Sequence, residues 1–144
     1  RLITFSWSFL MPTHTRIRMF NTKETYPNQS LDNDLCQAVR AGNTVYVRGQ
    51  VGTDFDGNLV GLGDPRAQAE QAMKNIRALL ASQGLTPEHV LKTTVFLTSM
   101  ADFKDVNEVY AKTFDKNPPA RSCVAVAALP AGGLVEVEII AHRG

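Results

Sequence analysis

Between Asp64 and Gly84 the apolar residues Ala69, Ala72, Met73, Ile76, Leu79 and Leu80 recur at intervals of one, three and four. That spacing gathers them on one side of an α-helix. Asp64 suits the N-cap, Pro65 the first helical position and Gly84 the stop. A short acceptor side chain, a preset φ and a residue tolerant of positive φ are what those positions need. The pattern predicts one long amphipathic helix. A second begins at Asp102 or a neighbour and runs to Phe114, with Phe103, Val106, Tyr110 and Phe114 as its stripe. Asn107 falls inside that stripe. A buried amide must be hydrogen-bonded, so Asn107 is expected to tie the helix to nearby backbone.

Elsewhere the period drops to two. Residues 15–20 alternate well enough for an edge strand. Residues 35–40 and 44–50 flank Ala41-Gly42-Asn43 and read as a hairpin. Simple alternation puts Val45, Val47 and Gly49 on one face, and Thr44, Tyr46, Arg48 and Gln50 on the other. Residues 90–98, VLKTTVFLT, are rich in β-branched side chains and predict a strand. Residues 21–34 and 52–63 are polar or Gly/Asp-rich loops, Thr86-Pro87-Glu88 starts a further turn, and residues 116–119 break the second helix. Two last strands, 121–127 and 134–141, are joined by a turn at Leu129-Pro130-Ala131-Gly132-Gly133.

The order β-β-β-α-β-α-β-β defines an α+β domain whose two helices can cover one face of the sheet only. Val124, Val126, Val135, Val137 and Ile139 are expected to face the helices, leaving Cys123, Ala125, Ala127 and the charged positions on the other side. That open face is apolar enough to argue for burial against further subunits.

A chain of 144 residues with 44% hydrophobic and 20% charged content suits one soluble globular domain. The net charge of +1 points neither to nucleic acid nor to an anionic membrane. Two cysteines, Cys36 and Cys123, make no disulfide framework, and a reducing, cytoplasmic compartment is expected. His14, His89 and His142 are far apart and form no ligand pair, so no metal is expected. Residues 1–10, RLITFSWSFL, are apolar but too short to span a bilayer, and Met11 follows them. They are read as an extension upstream of the natural start, with an amphipathic arm as the alternative, and residues 11–144 as a single domain.

The final two strands carry the candidate chemistry. Arg121 shares a face with the small residues Cys123 and Ala125, and Glu136 and Glu138 interrupt an otherwise apolar strand. Ionised groups rarely leave water without a partner or a task. The segment PPARSCVAVAALPAGGLVEVEIIA resembles the signature of the reactive intermediate deaminase family, Rid, also called RidA/YjgF. QAVRAGNTVYVRGQVG is similar to that family's hairpin, and QAEQAMKNIRALLASQGLTPEHVLKTTVFL and ADFKDVNEVYAKTF to its two helices and the strand between them. The likeness runs from about residue 35 to the C-terminus.

The resemblance implies a chorismate-mutase-like (YjgF-type) fold, with a mixed sheet and both helices on one face. It also implies a homotrimer with sites between subunits, and hydrolysis of enamines and imines of the 2-aminoacrylate type without cofactor or metal. By position it assigns Arg121 to the substrate carboxylate and Glu136 to the attacking water. Gly49, Cys123 and Asn107 would line or support the site, Gly49 and Cys123 mainly through backbone. The chemistry agrees: a guanidinium fork binds a carboxylate in two places, fixing the C=N carbon, while a carboxylate orients water against it. Cys123 has no neighbouring histidine and reads as a small hydrophobe rather than a nucleophile.

Two positions depart from the family pattern. Leu35 stands where many members have tyrosine, and Arg48 where they have serine. Arg48 would either bind a further carboxylate or larger anion, or pair with Glu136 and blunt its action on water. Other readings remain: Arg121 in an interface salt bridge, a trimeric ligand-binding or regulatory protein without turnover, and an endoribonuclease or translation inhibitor, against which the small net charge weighs.

Overall fold

A computed structural model describes residues 14–22 and 35–144. The expected upstream extension and most of the 21–34 loop lie outside the described residues. Among the described residues six strands and two α-helices follow the expected order: β1 (Thr15–Ile17), β2 (Ala38–Ala41), β3 (Thr44–Val51), α1 (Pro65–Ser82), β4 (Val90–Leu97), α2 (Phe103–Thr113), β5 (Ala120–Ala125) and β6 (Val135–His142). The strands form one sheet in the order β1-β2-β3-β6-β4-β5. Only β4 and β5 run parallel, so the sheet is mixed. Among the described residues no helix is long and apolar enough to cross a membrane.

The long helix begins as its sequence demands. Asp64 accepts from the Ala67 amide at 3.1 Å, Pro65 opens the first turn, and Gly84 beyond the end takes φ +70°. All six stripe residues of α1 are buried. All but Ala72 join Val45, Val47, Val135, Val137 and Ile139 in a core that α2 closes with Val106, Val109, Tyr110 and Phe114. Each Val, Leu, Ile, Met or Phe side chain there contributes about 1.5–3 kcal/mol when fully buried. α1 also buries two amides outside the apolar stripe. Gln68 donates to the Gly61 carbonyl and accepts from the Leu134 amide, and Asn75 donates to the Thr53 carbonyl at 2.7 Å. These bonds fasten the 52–63 loop to the helix and to the start of β6.

Three expectations fail, each for a reason of sheet geometry. First, the two final strands are not paired partners. β6 inserts antiparallel between β3 and β4, and β5 lies parallel beyond β4 at the edge. Second, Arg121, Cys123 and Ala125 take the helix side of β5, because they pair with Thr93, Val95 and Leu97, which are buried under the helices. Val124 therefore turns to the open face, where it is 44% exposed. The expected helix-facing position of Val124 is wrong, as are the open-face positions of Cys123 and Ala125. Third, Val47 pairs with Ile139 and Gln50 with Val137, so Arg48 and Gly49 together oppose the single residue Glu138. This bulge reverses the alternation beyond it. Gln50 turns into the core, where it donates to Gln37 at 2.7 Å, and Gly49 turns to the open face instead of joining Val45 and Val47.

Candidate functional site

The sequence-predicted residues fall into two centres on opposite faces of the sheet. The first is built by β5 and α2. β5 is an edge strand, and Arg121 extends from it toward the helix. Its Nη1 donates to Asn107 Oδ1 at 2.6 Å. Its guanidinium carbon lies 4.6 Å from the centroid of the Tyr110 ring and 5.5 Å from that of Phe103. Rings at this range attract a cation through their negative faces. Tyr110 is itself pinned, its hydroxyl 2.7 Å from Thr93 Oγ1 in the buried interior. Asn107 thus holds the Arg121 side chain, not the backbone expected of it.

Despite these contacts Arg121 remains exposed, and it lines an open pocket with Asn107, Tyr110, Pro118 and Pro119. No carboxylate of the described residues pairs with it. A fork oriented by one hydrogen bond and two rings, and in no ion pair with a carboxylate of the described residues, can receive one in two hydrogen bonds. Cys123 lies two residues along the same face. Burial pushes its thiol above the ordinary range, and Arg121 only partly opposes this, so the geometry does not favour a thiolate nucleophile.

The second centre sits on the open face, where β3 and β6 meet. Glu136 pairs with Phe96 and Val51 across its neighbouring strands. Its carboxyl group packs over Gly49: a Cβ added there would stand 2.8 Å from the Glu136 carboxyl carbon. Glycine is what allows this approach. Burial pushes the Glu136 carboxyl above the usual range; the Arg48 cation draws it back, and Glu138 adds to the rise. Arg48 is exposed on the same face and forms no ion pair among the described residues. It lines a groove with Tyr46, Lys92, Thr94 and Glu138, in which Lys92 Nζ donates to Ser122 Oγ at 2.7 Å. Around this groove the face is apolar for a surface, with Tyr46 50% exposed and Phe96, Val124 and Ile140 incompletely covered.

Sequence reasoning missed the buried amides Gln37 and Gln50, which anchor the Arg48 backbone, and Gln68 and Asn75, which fasten the 52–63 loop. Gln68 and Asn75 fall one position before the apolar residues 69 and 76, a periodicity that could have marked them as inward-facing. Nothing local marked Gln37 and Gln50. Among the described residues no cluster of His, Cys, Asp or Glu is arranged to hold a metal.

An α+β sheet with a preset arginine at its edge and a glutamate over a glycine bulge defines a recognisable class of domain. A family model described as Endoribonuclease L-PSP matches residues 28–143. Over 108 residues the chain is 47% identical to "RutC family protein UK114" of Drosophila melanogaster, covering 75% of this chain and 78% of that protein. It is 44% identical over 108 residues to the "2-iminobutanoate/2-iminopropanoate deaminase" of Mus musculus, covering 75% and 80%. The crystal structure of E. coli TdcF with bound serine matches with a TM-score of 0.73 at 35% identity, covering 78% of this chain and 90% of that one. The chain belongs to the Endoribonuclease L-PSP family, that of the RidA/YjgF proteins.

Proposed function

We propose that this protein hydrolyses small 2-imino acids and their enamine tautomers to 2-oxo acids and ammonia, in sites shared between the subunits of a chorismate-mutase-like homotrimer. The observation that carries this reading is the exposed, preset Arg121 fork. The relative named as an imine deaminase and the relative structure with bound serine, a small carboxylate-bearing amine, support it.

Arg121 and Glu136 act together in this mechanism, yet one chain holds them on opposite faces. Arg121 lies on the helix side of an edge strand, and Glu136 on the open side two strands inward. A second copy is therefore required. Its open face would cover the β5 edge, burying Tyr46, Phe96, Val124 and Ile140 and bringing its Glu136 and Gly49 toward the first copy's Arg121, Asn107 and Cys123. Arg121 would take the substrate carboxylate in two hydrogen bonds, fixing the C=N carbon. The Gly49 and Cys123 backbones would line the cleft. Glu136 would accept a proton from water as its oxygen adds to that carbon. The carbinolamine nitrogen gains that proton, the hydroxyl gives its own proton to the Glu136 carboxylate, the C–N bond breaks to release ammonia, and the oxygen forms the C=O double bond.

The test generates 2-iminopropanoate from alanine with an amino-acid oxidase and follows its disappearance. Wild type should accelerate it. Arg121→Ala should lower kcat/KM by about 10²-fold, the range for a lost charge-assisted pair, and Glu136→Ala by about 10²–10⁴-fold, the range for general base catalysis. Equal rates with and without wild-type protein would replace the deaminase with a ligand-binding protein.

A further inference from the structure

We infer that Arg48 is a second carboxylate clamp, and that the substrates this protein favours are 2-imino acids with an acidic side chain, of the 2-iminosuccinate and 2-iminoglutarate class. This rests on the deaminase reading of the same site and adds the substrate class to it.

Three observations lead there. Arg48 is exposed on the face that carries Glu136, and no ion pair forms within 4.0 Å of it among the described residues. An unpaired guanidinium beside a candidate reaction centre is available for a ligand anion. Its root is also fixed. Arg48 and Gly49 form the bulge against Glu138, and the Arg48 amide donates to the Gln37 carbonyl at 2.9 Å. Gln37 is anchored in turn by Gln50 and by the Phe20 carbonyl. The guanidinium therefore starts from the residue next to Gly49, over which the Glu136 carboxyl lies. Finally, Glu138, the other acid facing Arg48, shares its groove with Lys92, so the face offers Glu138 a second cation.

Charge matching selects between substrate classes. With Glu136 ionised, Arg121 and Arg48 leave one surplus positive charge. The form of the imine most open to water is the protonated iminium. A monocarboxylate iminium is neutral overall and leaves the surplus in place. A dicarboxylate iminium carries one net negative charge and cancels it, with one carboxylate on each arginine. Bidentate pairing at both ends also fixes the orientation of the C=N bond.

The test measures kcat/KM for 2-iminoglutarate, 2-iminosuccinate and 2-iminopropanoate, generated from glutamate, aspartate and alanine by oxidases, in wild type, Arg48→Ser and Arg48→Gln. Both variants are checked for fold by circular dichroism, and Gln keeps most of the side-chain length if Ser fails to fold. The ratio of kcat/KM for dicarboxylate over monocarboxylate substrates should fall about 10–100-fold when Arg48 is neutralised. An unchanged ratio overturns the clamp. Calorimetric binding of 2-oxoglutarate and pyruvate separates the two proposals. If no imine is turned over, the deaminase reading fails. A wild-type preference for 2-oxoglutarate that is lost in the Arg48 variants would still support the clamp, and equal affinities would refute it.

Discussion

Arg121 and Glu136 are prepared in opposite ways. The arginine is exposed but oriented, by Asn107 and two rings. The glutamate is half-buried, and desolvation disfavours its charge. The proposed water activation requires the ionised form. The acid limb of kcat/KM should therefore lie above the pH at which an ordinary glutamate titrates, about 4.3, and Arg48→Ser should move it higher by removing the cation that favours ionisation. A pH profile of both proteins checks this. The same shift acts on stability. The folded state holds the Glu136 proton more tightly than the unfolded chain does, so this group favours the fold at pH below its ordinary pKa and loses that contribution as pH rises through the raised one. Glu136→Gln should accordingly raise the melting temperature relative to wild type at pH 7 more than at pH 4, while lowering activity.

Among the elements, β3 is the one whose irregularity positions the candidate site. One extra residue at Arg48-Gly49 sends Gln50 into the core and presents Gly49 to Glu136. Gly49→Ala should push the Glu136 carboxylate aside, since the added methyl meets a side chain that can move instead of backbone. The expected result is at least a tenfold fall in kcat, on the order of what misplacing a reacting group costs, with a melting temperature close to that of wild type. The bulge was not legible in the sequence, because VYVRGQV alternates well enough to pass as a regular strand. β5 misled for a related reason. Val124 is its most apolar residue and by hydrophobicity alone belongs in the core. At an edge strand beside α2 the helix side must instead leave room for Arg121 beneath Tyr110 and Phe103, and Cys123 and Ala125 are small enough to do so.

At the scale of the whole molecule, one chain carries the two candidate centres on opposite faces of the sheet, the open face with apolar side chains. If neighbouring copies complete each other, two inactive variants should complement. Mixing Arg121→Ala and Glu136→Gln protomers, with unfolding and refolding to randomise assembly, should restore activity from clefts that take Arg121 from one chain and Glu136 from the other. Light scattering should show trimers before and after mixing. Failure of mixed trimers to recover activity would place both groups in one subunit's site and contradict the shared cleft.

The order of elements, the buried stripe of α1, its caps and the alternation of β6 all followed from the sequence. Each depends on residues a few positions apart, where the helical and strand periods act directly. The interleaving of β6 between β3 and β4, the side of the sheet that Arg121 takes, the bulge at Arg48 and the partner of Asn107 did not follow. These depend on which distant segments pair and in what register, and shifting a register by one residue turns every later side chain to the other face.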